Sequence, residues 1–431
     1  MKICIIGAGY VGLVSGACFA DLGNDVICVD NDPKKIKSLK LGVIPIYEPG
    51  LEELVKRNKK EGRLSFSTNI KEGVRKCEVI FIAVGTPSRD NGEADLSFVE
   101  NVSREIAVSM PSYRLIVEKS TVPVNTGEWV EHTIKIFNKR NIKFDVASNP
   151  EFLREGSAIK DFMNPDRVVL GVKSKKAKDI LVELYKPLKA PIVVTDLKSA
   201  EIIKHASNSF LATKISFINA ISGLCDKVDA DIVEVARGIG LDRRIGKEFL
   251  NAGIGFGGSC FPKDLSAFIR IAEKTGYDFG MLKEVQKVNE YQKTLLIKKI
   301  ESLLWNLPKK TIGFLGLSFK PDTDDIRSAP VLDIIGQLHR EGAHIKAYDP
   351  QAMEKARAVL PKEVRFCKDA YEVAKNSDCL VLATEWNEFK ELDFKRIKSL
   401  MKQPILVDGR NIYDPAEMKR IGFTYVGIGR K

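Results

Sequence analysis

Short apolar runs alternate with amphipathic stretches along the chain, and this alternation predicts the architecture. Residues 2–6 form an apolar run of strand length, 13–22 reads as a helix stopped by Gly23, and 25–30 is a second strand run closed by Asp30. Runs of four to eight apolar residues bounded by turn residues mark buried strands, while apolar positions recurring every three to four residues mark helices. The same signals place strands at 78–84, 114–121, 145–148, 166–172 and 192–195, with a helix over 95–110. Strands that alternate with helices predict a parallel sheet. From 197 to about 241 the rhythm changes. Apolar residues recur at helical spacing through Ile202, Ala206, Phe210, Ile218, Ile221 and Leu224, predicting one long helix or a bent pair. A second long helical run covers 281–305. After Pro308 the first rhythm returns, with strands at 311–317, 344–349, 378–384 and 404–409 and a helix over 331–340. The expectation is an α/β domain over 1–196, a central helical domain over 197–307, and a second α/β domain over 308–431.

The first strand runs into Gly7-Ala-Gly9-Tyr10-Val11-Gly12 and then a helix, and the second strand ends at Asp30. A G-x-G-x-x-G in that strand-turn-helix-strand setting predicts a dinucleotide site. Gly7 allows the tight turn, Gly9 the approach of a pyrophosphate, and Gly12 close helix–strand packing. An acidic Asp30 accepts from a ribose hydroxyl and repels a 2′-phosphate, which favours NAD over NADP; the nearby Lys35 weakens that preference slightly. Later strand ends carry Gly85-Thr86-Pro87 and Ser120-Thr121-Val-Pro123. Thr86, Ser120 and Thr121 read equally well as ligand contacts or as ordinary turn residues. Glu151 and Glu155 share a face if their turn is helical, though two such glutamates also suit a solvated surface. Lys204 and Asn208 lie one helical turn apart. The third domain repeats the strand-loop-helix-strand pattern, ending in Asp349, without the glycine fingerprint. It reads as a second Rossmann-like unit, in which Lys320, Arg327 and Arg410 could clamp phosphates. The fold class expected is therefore α/β, two doubly wound Rossmann-like domains joined by a central helical region with a long connecting helix.

Composition narrows the function classes. The chain has 431 residues, 44% of them hydrophobic, with 68 Lys and Arg against 57 Asp and Glu, a formal charge of +11. That charge suits anionic small molecules, or simply a lysine-rich composition. It is spread along helix faces, with no dense basic block interleaved with aromatics, so no nucleic-acid partner is expected. The N-terminus enters a strand without the features of a secretory signal, and no stretch of 18 apolar residues occurs. No membrane association is expected. Eight cysteines without a C-x-x-C pair, and four histidines without a ligand motif, predict no metal site and a reducing, cytoplasmic setting.

One cysteine stands apart. Gly255-Phe-Gly257-Gly-Ser-Cys260-Phe-Pro-Lys263-Asp264 leads into an apolar-periodic run, the signature of a loop entering a helix with Pro near its first position. A thiol there sees the positive end of the helix dipole, which favours the nucleophilic thiolate. The glycines permit a ligand to approach the backbone closely. The alternative is a buried structural thiol.

Taken in order, Gly7-x-Gly9-x-x-Gly12, Ser120-Thr-Val-Pro123, the 149–156 segment Asn-Pro-Glu-Phe-Leu-Arg-Glu-Gly, Lys204-x-x-x-Asn208, the 257–264 cysteine segment and the 319–327 segment resemble the UDP-glucose/GDP-mannose dehydrogenase family over essentially the whole chain. Phe261 looks like the UDP-glucose branch. Asn125, where relatives often carry Gly, departs from the pattern. The resemblance implies a four-electron oxidation of the C6 alcohol of UDP-glucose to a carboxylate, with two NAD reduced per sugar. It implies Cys260 as the covalent nucleophile and Lys204 and Asn208 as oxyanion stabilisers. Asp264, with Thr121 and a water, would handle proton transfer, and Glu151 would assist hydrolysis. It implies NAD contacts from Gly7, Gly9, Tyr10, Val11, Gly12, Asp30, Lys35, Thr86, Thr121, Glu155, Lys263 and Arg327. The sugar nucleotide would meet Glu151, Phe152, Leu153, Glu155, Lys204, Asn208, Phe249, Asn251, Gly253, Gly257, Lys320 and Arg410. Arg244 would reach it from the partner subunit of a homodimer. An ordinary two-electron dehydrogenase needs no such thiol, and a nucleotide sensor needs no Lys204, Asn208, Cys260 and Asp264 together.

Overall fold

The structure, a computed structural model, describes residues 1–89 and 91–430, so Lys431, the last residue of the expected third domain, lies outside the described residues. The chain forms two compact units. One comprises Met1–Ser207 and Ser266–Gly276, the other Asn208–Leu265 and residues 277–430.

The first unit is built on eight strands: β1 Lys2–Ile6, β2 Asp25–Val29, β3 Leu64–Ser67, β4 Val79–Ile82, β5 Arg114–Glu118, β6 Phe144–Ser148, β7 Val168–Val172 and β8 Ile192–Thr195. Their order in the sheet is 3-2-1-4-5-6-7-8. β1 is central and pairs in parallel with β2 and β4, and β4 and β5 are buried along their whole length. That burial is why these strands read as unbroken apolar runs and not as alternating ones. Two cores flank the sheet, one around Phe19, Phe81 and Phe162 and one around Ile80, Ile106 and Ile134. The expectation of a parallel sheet needs one correction: β7 pairs antiparallel with β6. The 149–167 connection turns back at the carboxyl end of β6 and does not cross the sheet. Loops after β1, β4, β5 and β6 therefore share one edge, where ligands bind in sheets of this kind.

In the second unit six strands, β9 Thr311–Leu315, β10 His344–Tyr348, β11 Arg365–Phe366, β12 Cys379–Leu382, β13 Ile405–Asp408 and β14 Thr424–Gly427, pair in the order 11-10-9-12-13-14 and run parallel throughout. The order again reverses beside the first strand, β9. The long helix spans Leu197–Val228, carrying Lys204 in the first unit and Asn208 in the second, and a separate helix, Ile232–Gly240, follows it. The bent pair was thus one of the two forms expected. Helix Phe261–Lys274 starts at the residue after Cys260, and helix Gly280–Leu304 matches the second long run. Among the described residues, no helix is long and apolar enough to cross a membrane.

Candidate active site

At the glycine loop, the backbone geometry explains each glycine. Gly7 has φ of 104°, and a Cβ there would lie 2.4 Å from the Ala83 carbonyl. A Cβ on Gly12 would sit 1.8 Å from the Gly7 carbonyl oxygen, so the helix Tyr10–Asp21 could not pack this closely with any other residue. Gly9 differs: its Cβ would meet nothing within 4 Å. Gly7 and Gly12 thus serve the protein's own packing, while Gly9 leaves open space at a helix N-terminus, where a pyrophosphate is favoured. Asp30 is buried and doubly fixed: Oδ2 accepts from the Ala8 amide at 2.8 Å and from Lys35 Nζ at 2.8 Å, and Oδ1 from the Asp32 amide at 3.0 Å. Burial opposes its ionisation, but these hydrogen bonds outweigh it and hold the carboxyl below its usual range. Lys35 is therefore the direct partner of Asp30. An ionised acid beside an open glycine turn fits NAD. Thr86 donates to the Thr121 carbonyl at 2.9 Å, and Ser120 to the Val84 carbonyl at 2.9 Å, so these hydroxyls tie the ends of β4 and β5 together. Half-buried Tyr10 donates its hydroxyl to Glu48, whose carboxylate also accepts from the Gly156 and Ala158 amides; Val11 beside it is also half-buried.

The 149–156 segment is not helical, which corrects the shared-face reading of Glu151 and Glu155. Pro150 biases Asn149 toward extended backbone. Glu151 turns inward and is 5% exposed; its Oε1 lies 3.0 Å from Lys204 Nζ and its Oε2 accepts from the Leu153 amide. Glu155 is half-buried in the turn that closes the segment. Two cations lie near the Phe152 ring, the Arg167 guanidinium 3.6 Å and Lys204 Nζ 5.3 Å from its centroid. Leu153 packs on the main core of this unit.

In the second unit, Cys260 is partly exposed while the other seven cysteines are buried. Its carbonyl accepts from the Asp264 amide at 2.8 Å, so the thiol sits at the positive end of helix Phe261–Lys274. Ser259 Oγ lies 3.6 Å from Sγ. Asp264, one turn on, is buried; Asn208 Nδ2 donates to its Oδ2 at 2.6 Å and Lys263 Nζ lies 2.8 Å from its Oδ1. The structure thus joins Asn208, Lys263 and Asp264. The preceding glycines prove to serve packing. A Cβ on Gly255 would meet Asn289 Oδ1 at 2.8 Å, one on Gly257 the Ser328 carbonyl at 2.4 Å, and one on Gly258 the Phe319 ring at 2.8 Å. On the side where a Cβ would stand, what approaches the backbone at these glycines is the protein itself. Asn219 and Gln292 fix Gly253, and Asn289 fixes Phe256, through buried hydrogen bonds that sequence spacing did not reveal.

Other expected contacts separate into exposed and committed groups. Asn251 is exposed, Phe249 is half-buried with φ of 63°, and half-buried Lys320 lies 5.5 Å from the Phe319 ring. Arg244 is 90% exposed in its side chain and held by Asp242. Arg327 pairs with Asp325 at 2.7 Å. Arg410 donates to the carbonyls of Ala383 at 2.7 Å and Phe319 at 3.1 Å, tying together the loops after β12 and β9. Asp349 echoes Asp30, accepting from the Leu317 and Ser318 amides, but Trp386 also occupies its carboxylate. Among the described residues, no group of three His, Cys, Asp or Glu side chains could hold a metal ion.

An NAD-type glycine turn in one unit, and in the other a partly exposed helix-capping thiol ahead of a second Rossmann-like sheet, define a nucleotide-dependent dehydrogenase. The chain belongs to the UDP-glucose/GDP-mannose dehydrogenase family: its NAD binding domain matches residues 1–189, its central domain 198–291 and its UDP binding domain 313–415. The chain is 50% identical to UDP-glucose 6-dehydrogenase TuaD of Bacillus subtilis, over 100% of this chain and 93% of that one. It is 49% identical to UDP-glucose 6-dehydrogenase of Rhizobium meliloti, over 100% of both. A solved UDP-glucose dehydrogenase from the hyperthermophilic archaeon Pyrobaculum islandicum is 40% identical, with a TM-score of 0.94 over 100% of this chain and 98% of that one.

Proposed function

We propose that this chain oxidises UDP-glucose to UDP-glucuronate with NAD, acting as a UDP-glucose 6-dehydrogenase through a covalent intermediate on Cys260. The observation that carries the mechanism is the placement of Cys260, the one partly exposed thiol, at the start of a helix one turn before the buried Asn208–Asp264 pair. NAD, when bound by Gly7, Gly9, Tyr10, Val11, Gly12, Asp30, Lys35, Thr86 and Thr121, with Glu155, Lys263 and Arg327, accepts one hydride at each oxidation.

The chain's residues do the rest. In the first oxidation the C6 hydroxyl loses its proton to water held by Asp264 and Thr121, and C6 becomes an aldehyde. The Cys260 thiolate adds to that carbon, and Lys204 and Asn208 stabilise the charge on its oxygen. Loss of the second hydride from the thiohemiacetal leaves a thioester. Water, assisted by Glu151, adds to the thioester carbonyl and expels the thiolate, giving the carboxylate. Phe152, Leu153, Phe249, Asn251, Gly253, Gly257, Lys320 and Arg410 position the sugar nucleotide. In the same reading the three functional domains are 1–196, 197–307 and 308–431, and the enzyme works in the cytoplasm. It is a homodimer whose Arg244 completes the partner's site. Phe210, Phe217 and Leu224, seven residues apart on helix Leu197–Val228 and each more than half exposed, offer the apolar stripe for that pairing.

Cys260→Ser tests the covalent step: turnover should stop at or before an adduct, while Cys225→Ser, altering a buried thiol, should retain most of it. Equal turnover by Cys260→Ser and the unaltered enzyme would rule the step out.

A further inference from the structure

Behind the Glu151–Lys204 pair lies a second buried cation. Lys119, the residue after β5, is 4% exposed. Its Nζ lies 3.0 Å from Asn149 Oδ1, 3.4 Å from the Asn149 carbonyl and 3.4 Å from the Tyr185 hydroxyl. Tyr185 donates to the same Oδ1, and Asn149 Nδ2 donates to the Val169 carbonyl at 2.9 Å. The Asn149 side chain is therefore gripped from three sides: by Lys119 after β5, by Tyr185 at the end of helix Lys175–Tyr185, and by β7.

Burying a lysine is costly, and a structural role alone would be met by an apolar side chain of the same length. Among the described residues, Lys119 has no carboxylate within hydrogen-bond distance. The charged groups around it are Glu151 from the site loop and Lys204 from the long helix. Burial lowers its pKa to about 8, with Lys204 acting the same way and Glu151 opposing. Asn149 precedes Pro150, whose φ is fixed, and Glu151 follows at once. So the grip on Asn149 reaches the Glu151 carboxylate through one stiff residue.

We propose that Lys119 is a positioning residue: by holding Asn149 it sets the Glu151 carboxylate against Lys204 for hydrolysis of the enzyme-bound acyl group. This rests on the roles given above to Glu151 and Lys204. It adds a requirement for a cation that touches neither substrate nor cofactor. Misplacement of a reacting group by about 1 Å can cost on the order of 100-fold in rate. The expected loss in kcat for Lys119→Met is therefore about 10- to 100-fold, with KM for NAD changed less than about 3-fold.

The test compares the full chain with Lys119→Met, Tyr185→Phe, Glu151→Gln and the Lys119→Met/Glu151→Gln double variant. Each is checked for folding by thermal melt and followed by rapid-quench kinetics with UDP-glucose and NAD. In Lys119→Met, NADH should appear in a burst followed by slow turnover, with the acyl-enzyme accumulating as a mass increase on the Cys260 peptide. Tyr185→Phe, which removes one donor to Asn149 and keeps the ring, should slow the same step less, so the proposal survives a poorly folding lysine variant. The double variant should be no more than about 3-fold slower than Glu151→Gln alone, because Lys119 acts through Glu151. Losses that multiply in the double variant, or a slowed Lys119→Met without acyl-enzyme, would overturn the positioning role. If Glu151→Gln itself left hydrolysis unchanged, the assignment of Glu151 would fail first, which separates the two conclusions.

Discussion

Side by side at the end of β5, Glu118 and Lys119 are both buried, and each is held away from its ordinary protonation range. Burial raises the Glu118 pKa from 4.5 to about 8; hydrogen bonds from Ser120 pull it down and the Glu201 charge pushes it further up. Its Oε2 finds no hydrogen-bond partner among the described residues. Between pH 4.5 and about 8 the folded chain keeps a proton that the unfolded chain releases, so this group's contribution to stability falls as pH rises through that window. Glu118→Gln keeps the acceptor for the Ser120 amide and removes the titration. It should stabilise the protein by roughly 2–4 kcal/mol at pH 7 and by almost nothing at pH 4. Thermal melts across that range check it, and an equal gain at both ends would contradict the burial argument. For Lys119 the sign is opposite. Its folded pKa of about 8 lies below the ordinary 10.5, so stability rises with pH between the two.

At the scale of elements, the turn after β5 shows how a departure from pattern is absorbed. Asn125 adopts φ of 76°, a left-handed position open to Gly and tolerated by Asn. Glu201, from the long helix, accepts from the Asn125 and Gly127 amides at 2.7 Å each, capping helix Thr126–Phe137 from outside its own sequence. Asn125→Gly should therefore change stability by only a few tenths of a kcal/mol. Glu201→Ala, which strands two amides, should cost roughly 1–3 kcal/mol in urea unfolding. An equal effect of the two would refute the capping role. Legibility follows the same division between local and remote contacts. The buried strands β1, β4, β5 and β9 and the long helices were readable because each is a long apolar or periodic run. β3 and β11 were not, with two apolar residues in one and two residues in all in the other. The direction of β7 was hidden because apolar runs carry no sign of direction. The glycine turn, Asp30 and the helix-capping Cys260 announced themselves through local geometry. Lys119, Tyr185, Glu48 and Asn289 did not, since their partners lie 30 to 110 positions away.

If Phe210, Phe217 and Leu224 seat a second copy, Phe217→Lys should shift sedimentation from dimer toward monomer and lower activity, because Arg244 would no longer reach a partner's site. An unchanged dimer would remove that face from the interface. The most direct measurement is stoichiometry: a limiting amount of UDP-glucose, excess NAD, and NADH counted at completion alongside the sugar product. Two NADH and one UDP-glucuronate per UDP-glucose are expected, with no free aldehyde. One NADH per sugar, with an aldehyde accumulating, would contradict a four-electron oxidation.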